Sequence, residues 1–308
     1  MLRMLEHALA VEKYRHLHLA AKALDLNQST LSRSLHALET QLGVALFNRA
    51  RGLEPTEFGR FVLTRARSLL NDAENMKNEV TKMRGLVTGE ISIGCGPVVS
   101  QTWIGDAIAR LTAKHPGLTV HAKDYNWWSL PAALRDREID IAIGELSGLD
   151  RDPELVVEPL PKRDCVFCCR KGHPLADRKE VTLDEIAAFP LAAPKLPGRL
   201  AEFLPAGQRF GVLSADRGQF VPRVCCENLY AVLRVVSQTD TVGATVRAFV
   251  EPEIAAGRMV ALPYQAPWMC TNYGVVYLRN CTLSVASDAF RAAAVSAEKA
   301  YFDSESQV

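Results

Sequence analysis

The chain has 308 residues, room for about two domains of ordinary size. Apolar residues make up 48% of it and mean hydropathy is close to zero, the balance of a soluble globular protein, and no apolar run nears the length of a membrane span. With no charged-then-apolar export leader either, the expectation is a cytoplasmic protein without a membrane partner.

Residues 1–16 read as a first helix, with Leu2, Leu5 and Leu9, joined by Ala8 and Tyr14, turned inward. The next stretch, Leu17 to Gly43, holds two apolar sets separated by a polar break. Leu17, Ala20, Ala21 and Leu24 make one helical face, and Leu31, Leu35, Leu38 and Leu42 make another. Asn27 stands where a side chain caps a helix start. Opposite the second leucine stripe lie Ser29, Ser32, Arg33, His36 and Thr40. Small polar side chains with one fork-shaped cation suit the floor of a DNA major groove, where Arg bonds guanine edges. Two short helices joined by a tight turn make a helix-turn-helix; an ordinary helical hairpin with a solvated face stays open at this point. Charge favours the first reading. The formal net charge is only +1, yet residues 1–67 hold ten Lys/Arg against six Asp/Glu.

Leu46-Phe47-Asn48-Arg49-Ala50-Arg51-Gly52 and then Pro55-Thr56-Glu57-Phe58-Gly59 read as the wing of a winged helix and its exit. Here the chain resembles the LysR-type transcriptional regulators. The residues that carry the resemblance are Ala20-Ala21, Leu24, Gln28, Ser32-Arg33, Leu38-Glu39, Leu42-Gly43, Leu46-Phe47, Arg49, Thr56 and Gly59. It departs from the usual pattern at Ser29 and Thr30 after the Gln, and at His16 and Leu17 before the alanines. These touch the base-reading end, so they bear on the operator sequence and not on the fold. The resemblance implies double-stranded promoter DNA as partner, with an operator near the protein's own gene. The DNA-contacting set is then Gln28, Ser29, Thr30, Ser32, Arg33 and His36 on the recognition helix, Arg49 and Arg51 in the wing, and Thr56.

No proline or glycine interrupts residues 60–84, and one long helix is expected from Pro55 to about Leu86. Val62, Ala66, Leu69, Ala73, Met76, Val80, Met83 and Val87 alternate by four and three, a heptad seam most simply buried against a second copy. A helix of this size is about 45 Å long. It can pair two subunits and hold two reading heads at separated half-sites, giving a homodimer or homotetramer. In the resembled family this is the linker and dimerisation helix.

After Gly89 the texture changes. Glu90–Cys95 reads as a strand, then a helix runs to about Lys114. Leu118–Asp124 is a strand, Trp127–Arg137 a helix and Ile139–Glu145 a buried strand. Such alternation predicts a parallel sheet covered on both faces. Leu155–Leu160, Cys165–Arg170, Leu191–Ala193 and Tyr273–Leu278 are further strands; Leu183–Phe189, Asn228–Ser237, Ala244–Val250 and Val285–Phe302 are helices. Leu134 to Glu145 and His173-Pro174-Leu175-Ala176 carry the family resemblance onward, more weakly. The expected whole is an α/β multidomain chain. Residues 1–58 are a winged helix-turn-helix, 59–88 the linker helix, and 89–308 a two-lobed domain like periplasmic binding proteins. Lobe I takes about 89–161 and 268–302, lobe II about 162–267.

In such a fold a small-molecule effector, with a carboxylate among the candidates, lies between the lobes where helix N-termini offer free N–H groups. Ser100, Gln101, Asn126, Trp127, Lys195 and Asn228 are the expected contacts. If the protein activates transcription, RNA polymerase is a further partner. There is no P-loop, no G-x-S-x-G and no HExxH, and Gly94-Cys95-Gly96 lacks the third glycine of a dinucleotide loop, so neither a cofactor nor catalysis is expected. Cys95, Cys165, Cys168, Cys169, Cys225, Cys226, Cys270 and Cys281 read chiefly as small buried hydrophobes. Two alternatives stand beside the regulator: an enzyme or solute-binding module with an N-terminal interaction domain, and a regulator switched by cysteine oxidation.

Overall fold

The structure, a computed structural model, describes residues 1–48, 52–83, 89–205, 207, 209–214 and 218–303, leaving aside the side chains of 71, 74, 75, 78, 79 and 81–83. Arg49, Arg51 and Val87, the expected helix end near Leu86 and the side chain of Met83 therefore lie outside what is described. The chain forms two compact units, one on residues 1–83 and one on 89–279 with 283–303. No helix among the described residues is long and apolar enough to cross a membrane.

In the first unit α1 (Leu2–Tyr14), α2 (Leu17–Ala23) and α3 (Gln28–Leu42) close one core around Leu5, Val11, Ala20, Leu31 and Leu38. The helical spacing of these residues is what turns them to a common side. Leu2, Tyr14 and Leu42, expected to join them, are exposed because each sits in a terminal turn. Asn27 precedes α3, but its side chain makes no capping bond. The Thr30 N–H that it would have taken turns instead to the Asn27 carbonyl, 3.0 Å away. Gly43 ends α3 at φ +70°, a left-handed conformation that glycine reaches without strain.

β1 (Phe47–Asn48) and β2 (Glu54–Pro55) pair antiparallel as the base of a wing. The Glu39 carboxylate on α3 ties this hairpin down, accepting from the N–H groups of Leu46 at 2.8 Å and Phe47 at 3.4 Å. The Thr56 hydroxyl donates to the Ala45 carbonyl at 2.7 Å and accepts from the Gly59 N–H at 2.9 Å, securing the start of α4 (Glu57–Met83). A Cβ on Gly59 would lie 2.0 Å from the Leu46 carbonyl oxygen, so only glycine fits. Leu63 and Ala66 of α4 belong to the core of this unit. Farther along, the seam leaves it: Leu69, Met76 and Val80 are 47%, 63% and 53% exposed.

The second unit contains two five-stranded sheets. The first, in the order β4-β3-β5-β14-β6, is built from β3 (Gly89–Cys95), β4 (Leu118–Asp124), β5 (Ile141–Glu145), β6 (Leu155–Pro159) and β14 (Tyr273–Leu278). The second, β11-β8-β12-β7-β13, takes β7 (Cys165–Arg170), β8 (Leu191–Ala193), β11 (Val224–Cys225), β12 (Val242–Val246) and β13 (Met259–Ala261). A small antiparallel hairpin, β9 (Gly211–Leu213) with β10 (Phe220–Pro222), sits beside the second sheet. The chain leaves the first lobe between Pro159 and Cys165 and returns between Ala261 and Tyr273.

Both sheets are mixed, not parallel as expected. β3 runs parallel to β4 and β5, but β14 lies antiparallel to β5 and β6, and β12 antiparallel to β7. The cause is the crossover: a strand arriving from the other lobe enters from the opposite end. Alternate residues still face opposite cores, as the two-residue period requires. Ile141 and Ile143 pack under Trp103 and Phe290, whereas Ala142 packs with Leu130 and Leu134. In β7 Phe167 and Cys169 join one core and Val166 and Cys168 the other.

Three helix assignments also change. Ala244–Val250 is not a helix: the Val-Gly-Ala-Thr-Val run of β12 is a central strand, and α11 (Arg247–Ala255) begins after it. β-Branched residues around a glycine fit a strand buried between two others. The helix after Gly96 is broken into α5 (Pro97–Ser100) and α6 (Ile104–Lys114). Likewise Trp127–Arg137 is a 3-10 turn (Trp127–Ser129) followed by α7 (Leu130–Arg135). The other helices of this unit are α8 (Leu183–Ala187), α9 (Gly198–Ala201), α10 (Leu229–Gln238) and α12 (Val285–Asp303).

Two buried histidines give the fold a pH dependence. His7 is hydrogen-bonded to the Ser34 hydroxyl at 2.7 Å, and His173 Nδ1 accepts the Leu175 N–H at 3.1 Å beneath Phe189. Burial is the main cause that lowers both rings from their ordinary 6.5. The unfolded chain then takes up protons first, so stability should fall as pH drops below 6.5 until the native rings also protonate. Urea unfolding from pH 7.5 to 5.5 checks this. His173→Asn should flatten part of the fall, and an unchanged slope in that variant would remove His173 from the account.

Candidate functional site

Two surfaces bring together residues fit for recognition. On α3, Gln28, Ser29, Arg33 and His36 are exposed along one side, with Thr30 and Ser32 half-buried between them. The leucines of the opposite stripe hold this side outward. Arg33 is exposed, and its Nε donates to the Ser29 carbonyl at 3.4 Å. Thr56 is placed differently: its hydroxyl donates to the Ala45 carbonyl ahead of the wing and accepts the Gly59 N–H at the α4 start.

The second surface is a cleft in the C-terminal unit between the two sheets. It leaves about 120 Å³ of space for a guest. Of the residues expected to touch an effector, Asn126, Trp127 and Lys195 line it. Ser100, Gln101 and Asn228 are engaged elsewhere. The Ser100 hydroxyl donates to the Pro97 carbonyl at 3.1 Å, and Asn228 caps α10 by accepting the Ala231 N–H at 3.0 Å. Gln101 spans the lobes. Its amide nitrogen donates to the carbonyls of Pro97 at 3.0 Å and Glu227 at 3.1 Å, and its oxygen accepts the Leu229 N–H at 2.7 Å.

A charged pair also crosses the cleft. Glu145, at the end of β5 in the first lobe, receives two bonds of 3.0 Å from Arg199 on α9 in the second. Arg199 further donates to the Cys270 carbonyl at 2.9 Å, and Ser147 donates to Glu145 at 2.7 Å. Burial alone would lower the guanidinium, but the hydrogen bonds and charge of Glu145 outweigh it and hold Arg199 above its ordinary value. Lys195 stands 5.2 Å over the Trp128 ring, a third link between the lobes. Burial raises the Glu227 carboxyl, against the opposing pull of Lys195, and burial also lifts the Tyr273 phenol well above its usual range.

The rest of the wall is mainly apolar and aromatic. Trp127 meets Trp128 edge to face at 5.5 Å, and Trp268 stacks flat on Phe203 at 5.5 Å. Sequence reasoning missed Glu145, Arg199, Thr245 and Trp268 as cleft residues. Glu145 ends a legible buried strand, where such sites gather; Arg199 lies in the single-turn helix α9 and Trp268 in a connection, neither with a marking pattern. Thr245 was hidden by the mistaken helix. Among the described residues no group of three or more His, Cys, Asp or Glu is placed to hold a metal.

Comparison with known proteins agrees with this geometry. Residues 2–60 match the profile described as bacterial regulatory helix-turn-helix protein, lysR family, and residues 84–298 match the LysR substrate binding domain. The chain is 34% identical to the SDS degradation transcriptional activation protein of a Pseudomonas species, covering 94% of each. It is 30% identical to the HTH-type transcriptional regulator GalR of Pseudomonas putida, over 90% of this chain and 69% of that one. A full-length OxyR variant from Pseudomonas aeruginosa superposes with a TM-score of 0.70 at 17% identity, covering 96% of this chain and 94% of that one, a likeness of fold. These relatives bear the names of regulators, and this chain too is a regulator, not an enzyme. By both matched domains, which together take in most of its length, the chain belongs to the LysR family of transcriptional regulators.

Proposed function

We propose that the protein binds promoter DNA as a homodimer or dimer of dimers and that a small molecule in the cleft sets the spacing of its reading heads. The carrying observation is the exposed side of α3, where Gln28, Ser29, Arg33 and His36 stand together on a helix fixed by its leucine stripe. In the groove, Arg33 reads base edges while the wing and Thr56 contribute to holding the backbone. Domains divide at about residues 58 and 88, with the linker helix pairing subunits through Leu69, Met76 and Val80. The protein works in the cytoplasm, and contact with RNA polymerase follows if it activates.

The effector site is the cleft lined by Asn126, Trp127 and Lys195. Gln101, Glu145–Arg199 and Lys195–Trp128 link the two lobes, so a molecule that rearranges any of them moves one lobe against the other. Oxidation is the less favoured signal at the four thiols of β3 and β7, whereas Cys225 is exposed and Cys226, Cys270 and Cys281 are half-buried. Burial pushes Cys95, Cys165 and Cys168 up to about 12 and Cys169 to about 11, which leaves little thiolate at neutral pH.

Arg33→Ala tests the recognition helix. It should cost about 1–3 kcal/mol of preference for the specific site, with smaller loss on random DNA. Competition binding with both duplexes measures the ratio; an unchanged ratio would remove Arg33 from base reading.

A further inference from the structure

Resting on the effector-cleft reading above, we infer that the effector is an uncharged molecule with an apolar body and one hydrogen-bonding oxygen. Three observations lead there. Charged residues lining the cleft come two of each sign, Glu145 and Glu227 against Lys195 and Arg199. Arg199 holds Glu145 through two bonds, and Lys195 lies over the Trp128 ring while its charge opposes the burial that raises Glu227. A carboxylate entering this space would shed its hydration and gain a cation only by drawing Lys195 off the Trp128 ring or Arg199 off Glu145.

The walls, in contrast, suit apolar bulk, with Trp127, Trp128 and Trp268 presenting ring surface and Phe167 and Leu204 behind. Two residues of that wall carry a buried polar atom without a hydrogen-bond partner, Trp127 Nε1 in the first lobe and Thr245 Oγ1 in the second, each closed to water in this arrangement of the lobes and reached by a guest only as the lobes shift. Thr245 is only 7% exposed, so bulk water does not serve its hydroxyl freely. The indole N–H can only donate, and a hydroxyl can do either. A ligand oxygen that accepts from Trp127 and exchanges a hydrogen bond with Thr245 satisfies one orphan on each lobe, and so favours one particular arrangement of the lobes.

Three probes of like shape separate the possibilities on the full-length protein: 2-phenylethanol, ethylbenzene and phenylacetate. Quenching of tryptophan fluorescence reports entry to the cleft, and ligand-observed NMR gives the affinities. The alcohol is expected to bind about 10-fold more tightly than phenylacetate. Thr245→Val and Trp127→Phe should each weaken the alcohol about 5- to 10-fold and leave ethylbenzene nearly unchanged, which also shows that the variants fold. Phenylacetate binding as tightly as the alcohol would overturn the inferred class while leaving the cleft a ligand site. So would an alcohol affinity indifferent to both substitutions. If no probe binds, the class is overturned; the cleft reading falls with it only if a low-molecular-weight cell extract also changes neither the tryptophan fluorescence nor DNA binding.

Discussion

Met76→Glu combined with Val80→Glu is expected to turn the protein from an oligomer into a monomer and to cut its affinity for a two-half-site operator about 100-fold or more. Both residues are more than half exposed in the single chain, four positions apart on α4, and Leu69 continues their line. Large apolar side chains repeated at seam spacing over several turns of one helix are stable in water when a second helix covers them. Glutamates there would face their counterparts across the seam and repel. The head itself should survive, since its core uses Leu63 and Ala66 from an earlier part of α4. Each monomer would then hold a half-site at single-head strength, losing the gain that comes from tethering two heads. Light scattering reads the mass, and binding to whole and half operators reads the tether. A variant that stays oligomeric would move the interface off α4.

Arg199→Ala should destabilise the C-terminal unit by about 3–5 kcal/mol, because it strands Glu145 without its counter-ion. The Glu145 side chain is 7% exposed and sits between Arg199 and Ser147. Replacing both members, as Glu145→Gln with Arg199→Gln, removes the stranded charge and should recover most of the loss. Urea unfolding of the two variants beside the parent measures the difference. The pair spans two lobes, so the single variant should also lose protection from amide exchange across the cleft, at β5 and α9. A double variant as unstable as the single would mean that the pair is incidental and that the Arg199 side chain matters for its packing.

Much of the architecture was legible because the signals were local and periodic. The leucine stripe of α3, the four-three spacing of α4 and the alternation in Cys165–Arg170 each belong to one element, and the structure forms those elements. What escaped depended on partners distant in sequence. The Val-Gly-Ala-Thr-Val run of β12 becomes a strand because β7 and β8 flank it, which no short window reveals. The direction of β14 follows from where the chain re-enters the first lobe. The cleft followed the same division. Asn126, Trp127 and Lys195 follow strands directly, so the rule that ligands gather beyond strand ends placed them. Arg199 meets Glu145 across 54 positions of sequence, and Gln101 meets Leu229 across 128, contacts with no local pattern to betray them.

Reading of specific DNA is what the exposed side of α3 is proposed to do. Its most direct test is binding, across a salt series, to the DNA upstream of its own gene against a scrambled duplex of equal length. Phosphate contacts weaken steeply with salt on any sequence, whereas base contacts appear as a difference between the two fragments. The expected result is a clear preference for the upstream fragment that persists at moderate salt and shrinks in Arg33→Ala. No binding to either duplex at low salt and micromolar protein would contradict the account.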